Sequence, residues 1–68
     1  MKSVSGKRLA ELAESKGWSL ARAKGSHHVY VQEGRIERLV IPIHGKRDLK
    51  KGLQRALMKL IPVTDDEL

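Results

Sequence analysis

Leu9, Leu12 and Ala13 recur at helical spacing after Ser5, whose hydroxyl is suited to cap a first turn. Lys16-Gly17 then supplies a terminal cation and a residue free to turn left-handed, so a first helix is predicted between these two signals. Beyond it the period shortens toward two. Trp18 to Ala23 reads as a strand, Lys24-Gly25-Ser26 as a turn, and His27 to Gln32 as a second strand rich in β-branched and aromatic residues. Glu33-Gly34-Arg35 marks a hairpin, and Ile36 to Ile43 a third strand, with Pro42 indicating an edge or a strand end.

A three-residue hairpin loop sets Val29 opposite Leu39, Val31 opposite Glu37 and His27 opposite Ile41. That register gathers Val29, Leu39, Ile41 and Ile43 on one face. After the loop His44-Gly45-Lys46-Arg47, Asp48 is placed to cap a last helix. Its apolar stripe is Leu49, Leu53, Leu57 and Leu60-Ile61, and Pro62 ends it. The order is helix, three strands, helix, which predicts an α+β fold of two layers, α-β-β-β-α. A three-stranded antiparallel sheet would carry both helices on one face. No repeat or linker divides the chain, so residues 1–68 are expected to form a single domain, with 64–68 a short acidic tail.

Composition narrows the function classes. A chain of 68 residues buries only roughly 60% of its unfolded surface, which predicts marginal stability. It has no cysteine, so disulfides, thiolate zinc sites and thiol nucleophiles are excluded. The same absence, with no apolar segment near the start, points to the reducing cytoplasm. The longest apolar run, Leu39-Val40-Ile41-Pro42-Ile43, is far too short to span a bilayer, so no membrane partner is expected.

Fourteen Lys and Arg against eight Asp and Glu give a net charge of +6. Three of the acidic residues close the chain as Asp65-Asp66-Glu67, while Gly45 to Lys59 is dense in Lys and Arg with Asp48 its one carboxylate. A basic segment on so small a protein is the electrostatic footprint of a polyanion, with nucleic acid favoured over a solvated face.

Three histidines remain as candidates for chemistry. Imidazole exchanges a proton near neutral pH, and RNA carries its own nucleophile in the 2′-hydroxyl. One proton-transfer group and cations that hold the phosphate therefore suffice for cleavage. His27 follows Gly25-Ser26, which free the backbone before it, and Lys24 provides a neighbouring cation. The bland alternative is a strand histidine partly buried at the end of the core face. His28 reads as an exposed strand residue. His44 sits in a glycine-containing loop beside Lys46 and Arg47, within reach of a phosphate. Adjacent strand residues point to opposite faces, so His27 and His28 do not share an ion, and no metal or cofactor is expected. Trp18 and Tyr30 could stack on bases, but lone aromatics are more often core. Gly52 either permits close packing or lets a phosphate approach the last helix.

The chain resembles the HicA (YcfA-like) family of toxins from prokaryotic toxin–antitoxin pairs. The matching pieces are Ser5-Gly6-Lys7, Leu12, Gly17-Trp18, Gly25-Ser26-His27-His28 with Val29-Tyr30, Ile41-Pro42-Ile43-His44-Gly45, and Asp48-Leu49-Lys50-Lys51-Gly52-Leu53. They run in the family's order over nearly the whole chain. Two departures stand out: Leu53 where relatives often have Thr, and Ile61-Pro62 where they often have Ala-Gly. The resemblance implies a fold like the double-stranded-RNA-binding domain and an mRNA interferase whose essential histidine matches His27. It also implies a HicB-type antitoxin that covers that histidine.

The combined expectation is an endoribonuclease that cleaves mRNA by metal-independent acid–base chemistry at His27. Lys24, Lys46, Arg47, Lys50 and Lys51 hold phosphates, with Lys7, Gly25, Ser26 and His44 completing the RNA-binding set. The free chain is expected to be a monomer or weak homodimer. The rival readings are a non-catalytic double-stranded-RNA-binding module and a basic protein whose partner is an acidic protein.

Overall fold

A computed structural model describes all 68 residues. Helix α1 (Gly6–Ser15) begins where the sequence signals it: the Ser5 hydroxyl accepts from the Arg8 amide at 3.1 Å. It ends at Lys16 with the paired bonds of a glycine C-cap. The Gly17 amide, at φ +95°, donates to Glu14, and the Trp18 amide donates to Ala13. This reversal drives Trp18 into the core, where its indole N–H donates to the Ile61 carbonyl at 3.1 Å. Trp18 is thus a core residue with its polar tip satisfied, not a stacking platform.

Strands β1 (Ser19–Lys24), β2 (His27–Val31) and β3 (Leu39–Pro42) form one antiparallel sheet in the order β1-β2-β3. The register differs from the sequence expectation by one residue. His27 pairs with Pro42, His28 with Ile41, Val29 with Val40, and Tyr30 with Leu39. A one-residue slip moves every side chain to the other face. Tyr30, Leu39 and Ile41 therefore make the inner face, and Val29 turns outward.

The cause lies in the β2–β3 connection, residues 32–38, which is longer than a three-residue hairpin loop. Its turn closes when the Arg35 amide bonds Gln32, with Gly34 at φ +84°. Arg35 then reaches away from the sheet. Its guanidinium donates to the Leu60 carbonyl at 2.8 Å, lies 5.0 Å from the Trp18 ring centre and bonds Glu37 at 3.3 Å. Glu37's carboxyl is held below the usual range, first by its own backbone amide and then by Arg35. Ile36, expected in the third strand, is 94% exposed beside this strut. The chain rejoins the sheet only at Leu39.

Helix α2 (Lys51–Leu60) also starts later than expected, with Lys50 as its N-cap and no side-chain cap bond. Asp48 does not cap it. The backbone at Asp48 instead forms a bridge with Ser5, and the Leu49 amide donates to Val4 at 2.9 Å. Leu49 is buried before the helix begins, and Leu53 turns out to solvent. Gln54 takes a place in the buried face: its side-chain oxygen accepts from the Val4 amide at 3.1 Å, and its nitrogen donates to the Lys2 carbonyl at 2.7 Å. The N-terminal arm brings backbone polar groups into the interior, and they need partners there.

The buried apolar residues form one cluster containing Leu9 and Ala13 of α1, Tyr30, Leu39 and Ile41 of the sheet, and Leu57 and Met58 of α2. Both helices therefore cover the same sheet face, giving an α+β fold with α-β-β-β-α order. The acidic tail is ordered as a short 3-10 turn (Asp65–Glu67). Thr64 and Glu67 cap it reciprocally, and Glu67 pairs with Lys16 at 2.7 Å. No helix is long and apolar enough to cross a membrane.

Candidate functional site

The sheet has one covered face and one open face, and strand alternation sorts the histidines between them. His28 pairs with the fully buried Ile41 and lies half-buried on the helix side, not exposed as its sequence position implied. His27 points the other way, exposed on the open face rather than at the end of the core. The two imidazoles cannot meet on one ion.

The turn before His27 is short. Gly25 carries φ +59° and no other residue of the turn has positive φ, the signature of a type II′ hairpin. The Ser26 carbonyl accepts from the Ile43 amide at 2.7 Å, which ties the turn to the end of β3. This geometry sets Lys24 directly opposite His27. Side chains at paired positions share a face, with Cβ atoms about 5 Å apart. In the next row of the open face, Arg22 pairs with Val29 and Val29 with Val40. The imidazole thus stands between Lys24 and Pro42, with Arg22 one row behind. Arg22 was not singled out from sequence, although period-two alternation from Lys24 identifies it.

Beyond Pro42 the chain turns back along residues 44–50 toward α2. Between them lies a cavity of about 340 Å³, bordered by Pro42, His44, Arg47 and Lys50 and closed by Asp48, Leu49 and Leu53. Three sequence candidates, His44, Arg47 and Lys50, are therefore brought together next to the strand end that faces His27. Lys46 and Lys51 are exposed but do not line this cavity. Lys7 lies in the first turn of α1, directly after Gly6, which packs on the Pro42 carbonyl. A second hollow, of about 460 Å³, lies between Met1 and the far end of α2.

Arg22, Lys24, Arg47 and Lys50 are free of ion pairs; the chain's three pairs are Arg8–Glu11, Lys16–Glu67 and Arg35–Glu37. Tyr30 takes no part in proton exchange near neutrality, because burial, with the charge of Glu14 second, pushes its hydroxyl above the ordinary value. The arrangement offers two exposed imidazoles, His27 on the open face and His44 at the cavity, among cations free of ion pairs.

The profile described as HicA toxin of bacterial toxin–antitoxin matches residues 6–62. No curated protein matches the chain.

Proposed function

Since the chain belongs to the HicA toxin family of bacterial toxin–antitoxin systems, we propose that it is an endoribonuclease that cuts mRNA by acid–base chemistry at His27. The observation that carries this reading is the exposed His27 imidazole opposite Lys24, on the sheet face that no helix covers. A phosphodiester held there by Lys24, Arg22, Arg47 and Lys50 meets four cations that make no ion pair within the chain.

The RNA supplies the nucleophile. Its 2′-oxygen bonds to phosphorus as the bond to the 5′-oxygen breaks, leaving a 2′,3′-cyclic phosphate and a 5′-hydroxyl. His27 accepts the 2′-hydroxyl proton or donates one to the departing 5′-oxygen, and solvent water carries the other proton. Lys7, Lys46 and Lys51 extend the phosphate track, and Gly25, with nothing within 4 Å of where a Cβ would stand, keeps the entry to His27 open to the RNA backbone, with Ser26 beside it. No step requires a metal or cofactor. The neutralising partner is a HicB-type antitoxin seated over His27, a role that a small acidic protein fits on a chain of charge +6.

The deciding experiment incubates the protein with mRNA in EDTA beside a His27→Ala variant. Cleavage by the parent alone, with cyclic phosphate ends, is expected. Equal cleavage by both, or cleavage abolished by EDTA, removes the mechanism. Intact RNA bound with strong salt dependence and indifferent to His27→Ala would make the chain a double-stranded-RNA-binding module instead. Growth arrest on expression, lost with His27→Ala, separates an active toxin from a protein-binding scaffold.

A further inference from the structure

We infer that the cavity beyond Pro42 seats one unstacked nucleotide of the RNA strand and selects guanine; this rests on the ribonuclease reading. The chain has one Trp and one Tyr and no Phe, and both rings are buried in the core. Neither ring can therefore hold a splayed base; of the side chains that stack on bases, the exposed His44 imidazole and Arg47 guanidinium border the hollow beyond Pro42. Beside them the hollow offers apolar surface. Pro42, Leu49 and Leu53 give the cavity carbon-rich walls, and about 340 Å³ falls at the small end of the roughly 300–1,000 Å³ typical of ligand clefts. A base laid against them displaces water from apolar surface on both sides.

The charges around the hollow fit a nucleotide rather than an apolar ligand. Arg47 and Lys50 are exposed and free of ion pairs, so they meet phosphates without breaking an existing bond. Asp48 brings the one carboxylate to the lining. An ionised carboxylate only accepts hydrogen bonds. Guanine presents two adjacent donors on its pairing edge, N1–H and the exocyclic amine, and matches it in a bidentate way. Adenine, cytosine and uracil each place an acceptor where the second donor is needed. Position supports the same conclusion: Pro42 belongs both to the cavity wall and to the direct cross-strand pair with His27. A base in the hollow therefore lies about one nucleotide step from the phosphate that the imidazole reaches.

Two measurements on the full chain test the seat. The first titrates GMP, AMP, CMP, UMP or inorganic phosphate and follows the methyl resonances of Leu49 and Leu53. GMP is expected to shift both saturably and at lower concentration than the other three. Unmoved methyls, equal responses to all four nucleotides, or the same shifts from phosphate alone would overturn the seat. The second maps cut sites and kinetics. Asp48→Asn should flatten a guanine preference beside the cut, and Leu53→Lys, at an exposed position, should raise KM about tenfold with kcat little changed. If the parent cuts RNA, His27→Ala does not, and both cavity variants keep the parent's sites and KM, the seat is wrong and the ribonuclease reading stands. If the parent cuts no RNA, the ribonuclease reading fails and the methyl titration alone judges the seat.

Discussion

Gly6 lies hard against the backbone of Pro42. A Cβ at this position would overlap the proline carbonyl oxygen and meet the Ile41 side chain at 3.4 Å. The start of α1 is thereby pressed onto the strand end whose cross-strand partner is His27. The Gly6 of the family-like Ser5-Gly6-Lys7 element thus has a packing reason: no other residue lets the helix approach that closely.

Gly6→Ala should therefore lower stability by about 1–3 kcal/mol, the usual range for overpacking a closed contact. Trp18, the only tryptophan and a buried one, gives the signal for denaturant unfolding. A midpoint equal to the parent's would mean that the helix start yields without cost.

Gln54 is the one buried polar side chain, and it serves the N-terminal arm through Val4 and Lys2. Gln54→Leu keeps the bulk but strands the buried Val4 amide, at roughly 1–3 kcal/mol. Amide exchange at Val4 should quicken more than at Tyr30 in the middle of the sheet. Uniform acceleration across the chain would show a global loss rather than a released arm.

Lys24→Gln should reduce kcat/KM for RNA by about tenfold with the unfolding midpoint unchanged, since its side chain lies on the exposed face. Raising the salt concentration should narrow the gap between variant and parent. A gap that persists in high salt would mean that Lys24 acts otherwise than by charge.

The Lys16–Glu67 pair gives the tail a pH dependence of known sign. The hydrogen bond from Lys16, then that from the Thr64 backbone, lowers the Glu67 carboxyl from 4.5 to about 2. A depressed carboxyl stabilises the fold above its unfolded value and loses that contribution as pH falls from about 4.5 toward 2. Glu67→Gln should thus melt slightly below the parent at pH 7 and together with it near pH 2. The difference should be small, as both partners are partly exposed. A gap that widens in acid would contradict the assignment.

The reach of sequence reasoning varied along the chain with the range of the deciding contacts. Ser5, Gly17 and Gly25 act within a few residues, so the first helix and the tight turn before His27 were legible. The sheet register was not. It depends on Arg35 reaching Trp18 and Leu60, seventeen and twenty-five residues away in sequence, and a hairpin rule cannot see such contacts. Asp48 misled in the same way, because its backbone answers to Ser5 rather than to the helix beside it. Within the site, the basic residues announced themselves by charge. Pro42, Leu49 and Leu53 look like ordinary core material until the chain folds back and leaves them lining a hollow.

Strand β2 divides its labour by parity. Its even-numbered members, His28 and Tyr30, face the interior and hold the fold, while His27 and Val29 meet whatever arrives from outside. The open face can therefore be rewritten without touching the packing behind it. Under the proposed mechanism, an inhibitor that masks the odd-numbered side would silence the molecule and leave its packing intact, ready to be released in working order.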